Sequence, residues 1–101
     1  MDIGGYGMNL IKERLPVTEL LAGLAEECGE LTQAALKLRR VFDKKNPTPT
    51  TEQDAVENLY EEIADVWLYL NMIDLPWKYI KEIGTRKQNR WEERLKAKAE
   101  R

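Results

Sequence analysis

Two short acidic motifs contain the residues of this sequence best suited to chemistry. They span residues 26–31 (EECGEL) and 61–66 (EEIADV), and both have the form acid-acid-apolar-x-acid-apolar. Within each motif, two acids three residues apart lie at one edge of an apolar helical stripe, because a helix turns by about 100° per residue. The two pairs are Glu27 with Glu30 and Glu62 with Asp65. Carboxylates grouped in this way are typical ligands of hard divalent cations such as Mg²⁺.

A metal site requires that the two acidic pairs meet. Two helices that pack antiparallel through their apolar stripes would bring all four carboxylates together beside the seam. Carboxylates at close range repel one another, and Mg²⁺ relieves the repulsion while keeping coordination positions open for substrate phosphates. Small residues beside the acids, Ala25, Gly29 and Ala64, are expected to leave room between the helices. The alternative is that these acids are solvated helix faces, as most glutamates are.

The first two helices follow from hydrophobic periodicity. Apolar residues recur in steps of three and four from Pro16 to Phe42, and a proline-rich segment then ends the helix. The pattern Thr50-x-x-Gln53 is a capping box and predicts a second helix over about residues 52–74. The predicted core positions are Leu21, Leu24, Cys28, Leu31, Ala35, Leu38 and Phe42 on the first helix, and Val56, Leu59, Ile63, Val66, Leu70 and Ile73 on the second.

The remaining segments complete an all-α prediction. Pro76 opens a third helix with a less regular apolar side, in which Gly84 either permits a close approach or weakens the helix. A short helix is predicted at residues 10–15, and residues 1–9 are predicted to be a flexible lead-in. We therefore expect a single all-α domain over residues 10–101, an antiparallel bundle of three to four helices completed by oligomerisation.

Composition narrows the chemistry. The 101-residue chain has no histidine and one cysteine, Cys28, which excludes Ser-His-Asp and Cys-His catalysis, imidazole ligands and multi-thiolate zinc sites. We expect Cys28 to be an inert buried thiol, because it occupies a predicted core position. The longest apolar run, Val66–Leu70, is far shorter than the ~20 residues of a membrane span. We therefore expect a soluble cytoplasmic protein without a membrane partner.

Charge divides the chain into two parts. Residues 1–75 contain 7 Lys/Arg and 14 Asp/Glu, whereas residues 76–101 contain 9 Lys/Arg and 4 Asp/Glu. Basic residues of the third helix could pair with the acidic part of the chain or meet a phosphate. The acidic body and the net charge of −2 disfavour nucleic acid as a partner.

Taken together, the motifs resemble the signature of the MazG-like all-α nucleoside triphosphate pyrophosphohydrolases. The resemblance covers about residues 18–94: E-E-x-x-E at 26–30, E-x-x-D at 62–65, and a basic third helix in which Arg90 precedes Trp91. It implies hydrolysis of a nucleoside triphosphate between the α and β phosphates, giving the monophosphate and pyrophosphate. The implied cofactor is Mg²⁺, with Mn²⁺ as an alternative ion.

The resemblance also implies roles for individual residues. It assigns the metal to Glu27, Glu30, Glu62 and Asp65. Glu26 would orient or deprotonate the attacking water, or hold a further ion. On the third helix, the resemblance implies phosphate contacts from Arg90 and from a residue about one turn earlier, for which Arg86 and Lys87 both qualify.

Aromatic residues add an expectation of self-association. The second helix is apolar around much of its circumference near residues 66–70, and a helix of this kind needs cover on more than one side. We therefore expect a homodimer or homotetramer. Trp67, Trp77 and Trp91 are expected to pack rather than to stack on a base. The alternative function is a non-catalytic helical module for oligomerisation or partner binding.

Overall fold

A computed structural model describes residues 10–100 of the protein, and these residues form four helices and no strand. The long helices are α1 (Val17–Asp43), α2 (Glu52–Met72) and α3 (Trp77–Ala99). A short helical segment at residues 10–14 precedes them. The all-α prediction is confirmed, and each predicted helix boundary lies within two residues of the observed one. The lead-in predicted at residues 1–9 lies outside the described residues.

The start of α2 differs in detail from the predicted capping box. Thr51, not Thr50, is the N-cap, and its hydroxyl accepts a hydrogen bond of 3.1 Å from the backbone N–H of Asp54. This register places two acids, Glu52 and Asp54, in the first turn, where negative charge favours the helix N-terminus. The Thr50 hydroxyl is at 3.4 Å from the carbonyl oxygen of Thr51 instead.

Helices α1 and α2 pack against each other as an antiparallel hairpin. The buried core lies at the end of the hairpin where α1 begins and α2 ends, and it comprises Leu20, Met72 and Ile73. Along the rest of the interface the buried residues are mostly small, namely Gly23, Ala34 and Ala55, together with Leu38. Small residues at these positions let the two helix backbones approach closely.

The observed interface is rotated by about one residue from the predicted apolar stripes. The periodicity predicts Leu21, Cys28, Ala35 and Phe42 in the core, but all four are exposed, as is Ile63 on α2. The free thiol of Cys28 is therefore not buried. The expected spacers Ala25, Gly29 and Ala64 are also exposed. The reason is that the apolar surface of α1 is broader than one partner helix can cover, and α2 covers only one edge of it.

The third helix lies apart from the hairpin. Within the described residues α3 contacts neither α1 nor α2, and none of its residues is buried. The radius of gyration is 18.1 Å, compared with about 13 Å for a compact domain of 100 residues. Among residues 10–100, Gly84 makes no close approach, since no atom outside its own stretch of helix lies within 4 Å of a Cβ built on it. None of the helices that the structure describes has the length and apolar character needed to cross a bilayer.

Candidate metal centre

Three of the predicted metal ligands converge between α1 and α2. Glu27, Glu62 and Asp65 each offer a carboxylate oxygen, and these three oxygens lie within 4.8 Å of one another. Glu27 comes from α1, and the other two come from α2, one helical turn apart. Glu27 and Glu62 are half-buried, and Asp65 is exposed. The rotation of the interface explains this placement, because it moves acids from the edge of the predicted stripe into the seam itself.

The pKa values of two carboxyl groups in this centre are raised by their surroundings. Partial loss of hydration raises the pKa of Glu27 above its ordinary value, and the charges of Asp65, Glu62 and Glu30, with a side-chain hydrogen bond to Asp65, raise it further. Loss of hydration, followed by the charges of Asp65, Glu30 and Glu61, also raises the pKa of Glu62. Every one of these effects opposes ionisation. The group therefore has the character of a site that a cation would stabilise.

The fourth predicted ligand, Glu30, borders the same group. Its charge contributes to the raised pKa of both Glu27 and Glu62, and it lines a cavity together with Glu62. Glu26, the predicted water-orienting residue, is exposed and lies outside the three-carboxylate group. The structure therefore brings Glu27, Glu62 and Asp65 together, places Glu30 next to them, and leaves Glu26 at the periphery.

The donor set fits a hard divalent cation. Oxygen ligands in an octahedral Mg²⁺ shell are at about 2.0–2.1 Å from the metal, which places them roughly 3–4 Å from one another. Three carboxylate oxygens within 4.8 Å reach that arrangement through small side-chain movements. The set contains no nitrogen or sulfur donor, so the softer transition metals that prefer imidazole or thiolate are not favoured.

A glycine and a tyrosine that the sequence did not single out set the helix spacing beside this centre. A Cβ atom at Gly23 would overlap the ring of Tyr69, so α1 and α2 meet here with no room for any larger residue. Gly23 precedes Glu27 by one helical turn, and Tyr69 follows Asp65 by one turn. The sequence does contain one signal for this contact. Gly23 stands among good helix formers although glycine costs about 1 kcal/mol of helix propensity, which indicates a position where a larger side chain would not fit.

The predicted phosphate-binding residues lie elsewhere in the chain. Arg86, Lys87 and Arg90 are exposed on α3, which does not contact the hairpin. The alternative in which they pair with acids is not observed either. Among residues 10–100, the ion pairs are Lys12 with Asp74, at 2.8 Å, and Lys45 with Asp43, at 3.9 Å.

The tryptophans are not packed within the described part of the chain. Trp67, Trp77 and Trp91 are all exposed, Trp67 by 57% and Trp91 by 63%, so the expectation of packing is wrong for this single chain. Trp67 follows Asp65 by two residues, about 200° around α2. It therefore points away from the carboxylate group of its own chain.

Comparison with known proteins gives no assignment for this arrangement. No protein-family model, no curated protein and no solved structure matches the chain.

Proposed function

We propose that this chain is a Mg²⁺-dependent nucleoside triphosphate pyrophosphohydrolase that produces a nucleoside monophosphate and pyrophosphate. The observation that carries the proposal is the convergence of Glu27, Glu62 and Asp65 within 4.8 Å, with Glu30 beside them. Phosphoryl transfer is accelerated mainly by positioning and by neutralisation of charge. Carboxylates that hold a cation, assisted by basic side chains, can therefore perform it in a protein without histidine.

Each residue has a defined part in the proposed reaction. Glu27, Glu30, Glu62 and Asp65 would hold a divalent cation between α1 and α2. When bound there, the cation would neutralise phosphate charge. Water attacks the α phosphorus, a new P–O bond forms, and the bond to the oxygen bridging the α and β phosphates breaks, so that this oxygen leaves with pyrophosphate. Glu26, which is exposed, would in this proposal orient or deprotonate that water or hold a further ion.

The basic residues of α3 act, in this proposal, on the carboxylate centre of a second copy. Arg86, Lys87 and Arg90 belong to a helix that does not pack against its own hairpin. Apolar residues also favour association of two copies. Ala35, Phe42 and Leu59 line an open groove of about 460 Å³ along the hairpin, and a second chain could cover it. The acidic body and the basic α3 segment carry opposite charge, which favours docking of α3 from one copy on the hairpin of another.

A substrate panel tests the activity directly. Ribonucleoside and deoxyribonucleoside triphosphates are incubated with the protein and Mg²⁺ or Mn²⁺, and the release of pyrophosphate is compared with that of orthophosphate. We expect pyrophosphate as the product, with loss of activity in Asp65→Asn and normal activity in Glu61→Gln. Glu61→Gln is the matched control because it removes one exposed charge next to Glu62 without removing a proposed ligand. Release of orthophosphate alone, or of neither product, would contradict the proposal.

Mixing two inactive variants tests whether the site is shared between copies. Asp65→Asn retains an intact α3, and Arg90→Ala retains an intact carboxylate centre. Unfolded together and refolded as a mixture, they should recover part of the wild-type activity. A mixture of Asp65→Asn with Glu30→Gln should recover none, since both changes affect the carboxylate centre. Light scattering on the wild-type protein should give at least a dimer, and a stable folded monomer at micromolar concentration would refute the shared site.

The second candidate function is a non-catalytic helical module for oligomerisation or partner binding. The exposure of large apolar residues on both helices of the hairpin, such as Phe42 and Trp67, favours it. Divalent cations separate the two functions, because a ligand that binds only the folded state stabilises it by RT ln(1 + [L]/Kd). Mg²⁺ at ten times its Kd would add about 1.4 kcal/mol, whereas solvated acids would give no specific gain.

A further inference from the structure

A second cavity between α1 and α2 adjoins the carboxylate centre and has a different character. It measures about 290 Å³ and is lined almost entirely by polar side chains. Glu30 and Glu62 form one end of the lining. The other polar lining residues are Gln33, Lys37, Arg40 and Asn58.

Helix geometry explains why these residues share one groove. Lys37 follows Glu30 by seven residues, which is close to two full turns, and Arg40 follows Lys37 by three residues. All three therefore lie on the same side of α1. Asn58 and Glu62 are four residues apart and share one face of α2. The groove is thus acidic at the end near the carboxylate centre and basic at the end near the α1–α2 loop.

The carboxylate centre lies on the N-terminal side of Lys37 and Arg40 along α1. Long side chains of an α-helix tend to extend towards its N-terminus, over the preceding turn. Lys37 is about 10 Å along the axis from Glu30, a distance that this tendency would shorten for its ammonium group. Lys37 does not pair with the acids, since the ion pairs of the described residues involve Lys12 and Lys45 only. Lys37 is half-buried and is available for an anion.

We propose that Lys37 and Arg40 form an oxyanion subsite that receives a phosphate group of a ligand whose other phosphates are held at the carboxylate centre. This inference rests on the proposed function, because the metal ion at that centre is what brings a phosphate chain to the groove. Arg40 supplies a planar fork of donors, and Lys37 supplies a compact charge. The two together suit phosphate oxygens. Unlike the cations of α3, both residues belong to the same hairpin as the carboxylates.

Binding of inorganic pyrophosphate in the presence of Mg²⁺, measured by titration calorimetry, tests the subsite without any hydrolysis. We expect Lys37→Gln and Arg40→Gln each to weaken this binding by roughly tenfold, which corresponds to the loss of one charged hydrogen bond. Arg39→Gln is the matched control. It removes the same charge from the adjacent position, and Arg39 lines the apolar groove of Ala35 and Phe42 instead.

The affinity for Mg²⁺ alone distinguishes the subsite from simple charge balance. If Lys37 binds phosphate, Lys37→Gln leaves Mg²⁺ affinity unchanged or stronger while pyrophosphate binding weakens. The subsite would be overturned if all three variants, Lys37→Gln, Arg40→Gln and Arg39→Gln, bound pyrophosphate equally well. This holds both for wild-type affinity in all three and for an equal decrease in all three. Hydrolysis of nucleoside triphosphates without this pattern would retain the proposed function and reject the subsite. The pattern without hydrolysis would retain the subsite and reject the proposed function.

Discussion

Replacement of Gly23 by alanine should both destabilise the protein and weaken its metal binding. The new Cβ would lie 2.6 Å from the Tyr69 Oη and closer still to the ring. That separation is about 1 Å inside the ordinary carbon contact distance of about 3.5–4 Å. The Tyr69 ring is half-buried where the two helices meet, and we expect relief of the overlap to move α1 and α2 apart.

The expected magnitude is the balance of two opposing effects. Overpacking of a close contact costs about 1–3 kcal/mol, and replacement of glycine by alanine in a helix returns about 1 kcal/mol. Gly29→Ala is the matched control in the same helix, because in the described part of the chain no atom beyond the local helix lies within 4 Å of a Cβ built on Gly29. It should show the gain of about 1 kcal/mol alone. The two variants should thus differ by about 1–3 kcal/mol, and each kcal/mol changes Tm by about 4–8 °C in a domain of this size.

The same substitution, Gly23→Ala, should also weaken metal binding. The three carboxylate oxygens lie within 4.8 Å of one another, so small side-chain movements suffice to reach the roughly 3–4 Å spacing of one Mg²⁺ shell. A further separation of the helices would require larger movements. We expect Mg²⁺ or Mn²⁺ affinity to fall by roughly 10–100-fold in Gly23→Ala, the range typical of changes to residues that support metal ligands. Gly29→Ala should bind as the wild type does.

The assays are urea denaturation and calorimetric metal titration at one protomer concentration, since association makes stability depend on concentration. The background variant Tyr69→Leu supplies an internal check. In that background the overlap is removed, and Gly23→Ala should become stabilising. The reasoning fails if Gly23→Ala is as stable as Gly29→Ala, or if it loses stability while metal affinity is unchanged.

Three further predictions address the site. Asp65→Asn should abolish metal binding and activity, because it removes a metal ligand. It also removes a repelling charge, so the metal-free variant should be as stable as the metal-free wild type or more stable; a metal-free variant that fails to fold would count against this assignment. Arg90→Ala should lower kcat/KM by roughly 10²–10³-fold with little change in Tm, whereas Lys81→Ala, on the opposite face of α3, should change neither; a lower Tm with normal kinetics would remove Arg90 from the site. Because the pKa values of Glu27 and Glu62 are raised in the folded state, the metal-free protein should lose stability as pH rises from the ordinary carboxyl pKa through the raised values. Mg²⁺ affinity should increase over the same range, and Glu62→Gln should flatten the loss of stability; an equally steep loss in Glu62→Gln would exclude the carboxylate group as its source.

The helices could be predicted from the sequence because their signals are local. Pro16 and Pro76 precede helices, a threonine caps α2, and apolar steps of three and four run through α1 and α2. Each signal depends on neighbours within one or two turns. Convergence of the two acidic motifs could also be predicted. Each motif lies at the edge of an apolar stripe, and two antiparallel helices that pack through these stripes bring the two edges together.

The interface between the helices could not be predicted in detail from the same pattern. Apolar residues cover so much of α1 that two adjacent stripes satisfy the same periodicity, one through Leu21 and Cys28 and one through Leu20 and Gly23. The choice between them depends on where small residues permit the closest approach, and Gly23 and Tyr69 decide it through a contact between residues 46 positions apart. Hydrophobic periodicity does not contain that information. Cys28 was accordingly assigned to the core and is exposed.

The rotation of the interface also explains why the carboxylate centre and the exposed apolar face occur together. Turning α1 towards α2 through Leu20 and Gly23 places Glu27 between the helices, and the same turn moves Leu21, Cys28 and Phe42 outward. The middle of the hairpin is thereby occupied partly by carboxylates, and its cluster of larger buried side chains lies at the end formed by Leu20, Met72 and Ile73, while Ala34, Leu38 and Ala55 are buried farther along. A bound cation would relieve the charge repulsion in the seam, and a second chain would cover the apolar surface on the outside. If the proposed function holds, a hairpin built in this way would gain stability both from the cation and from the second chain that the proposed reaction uses.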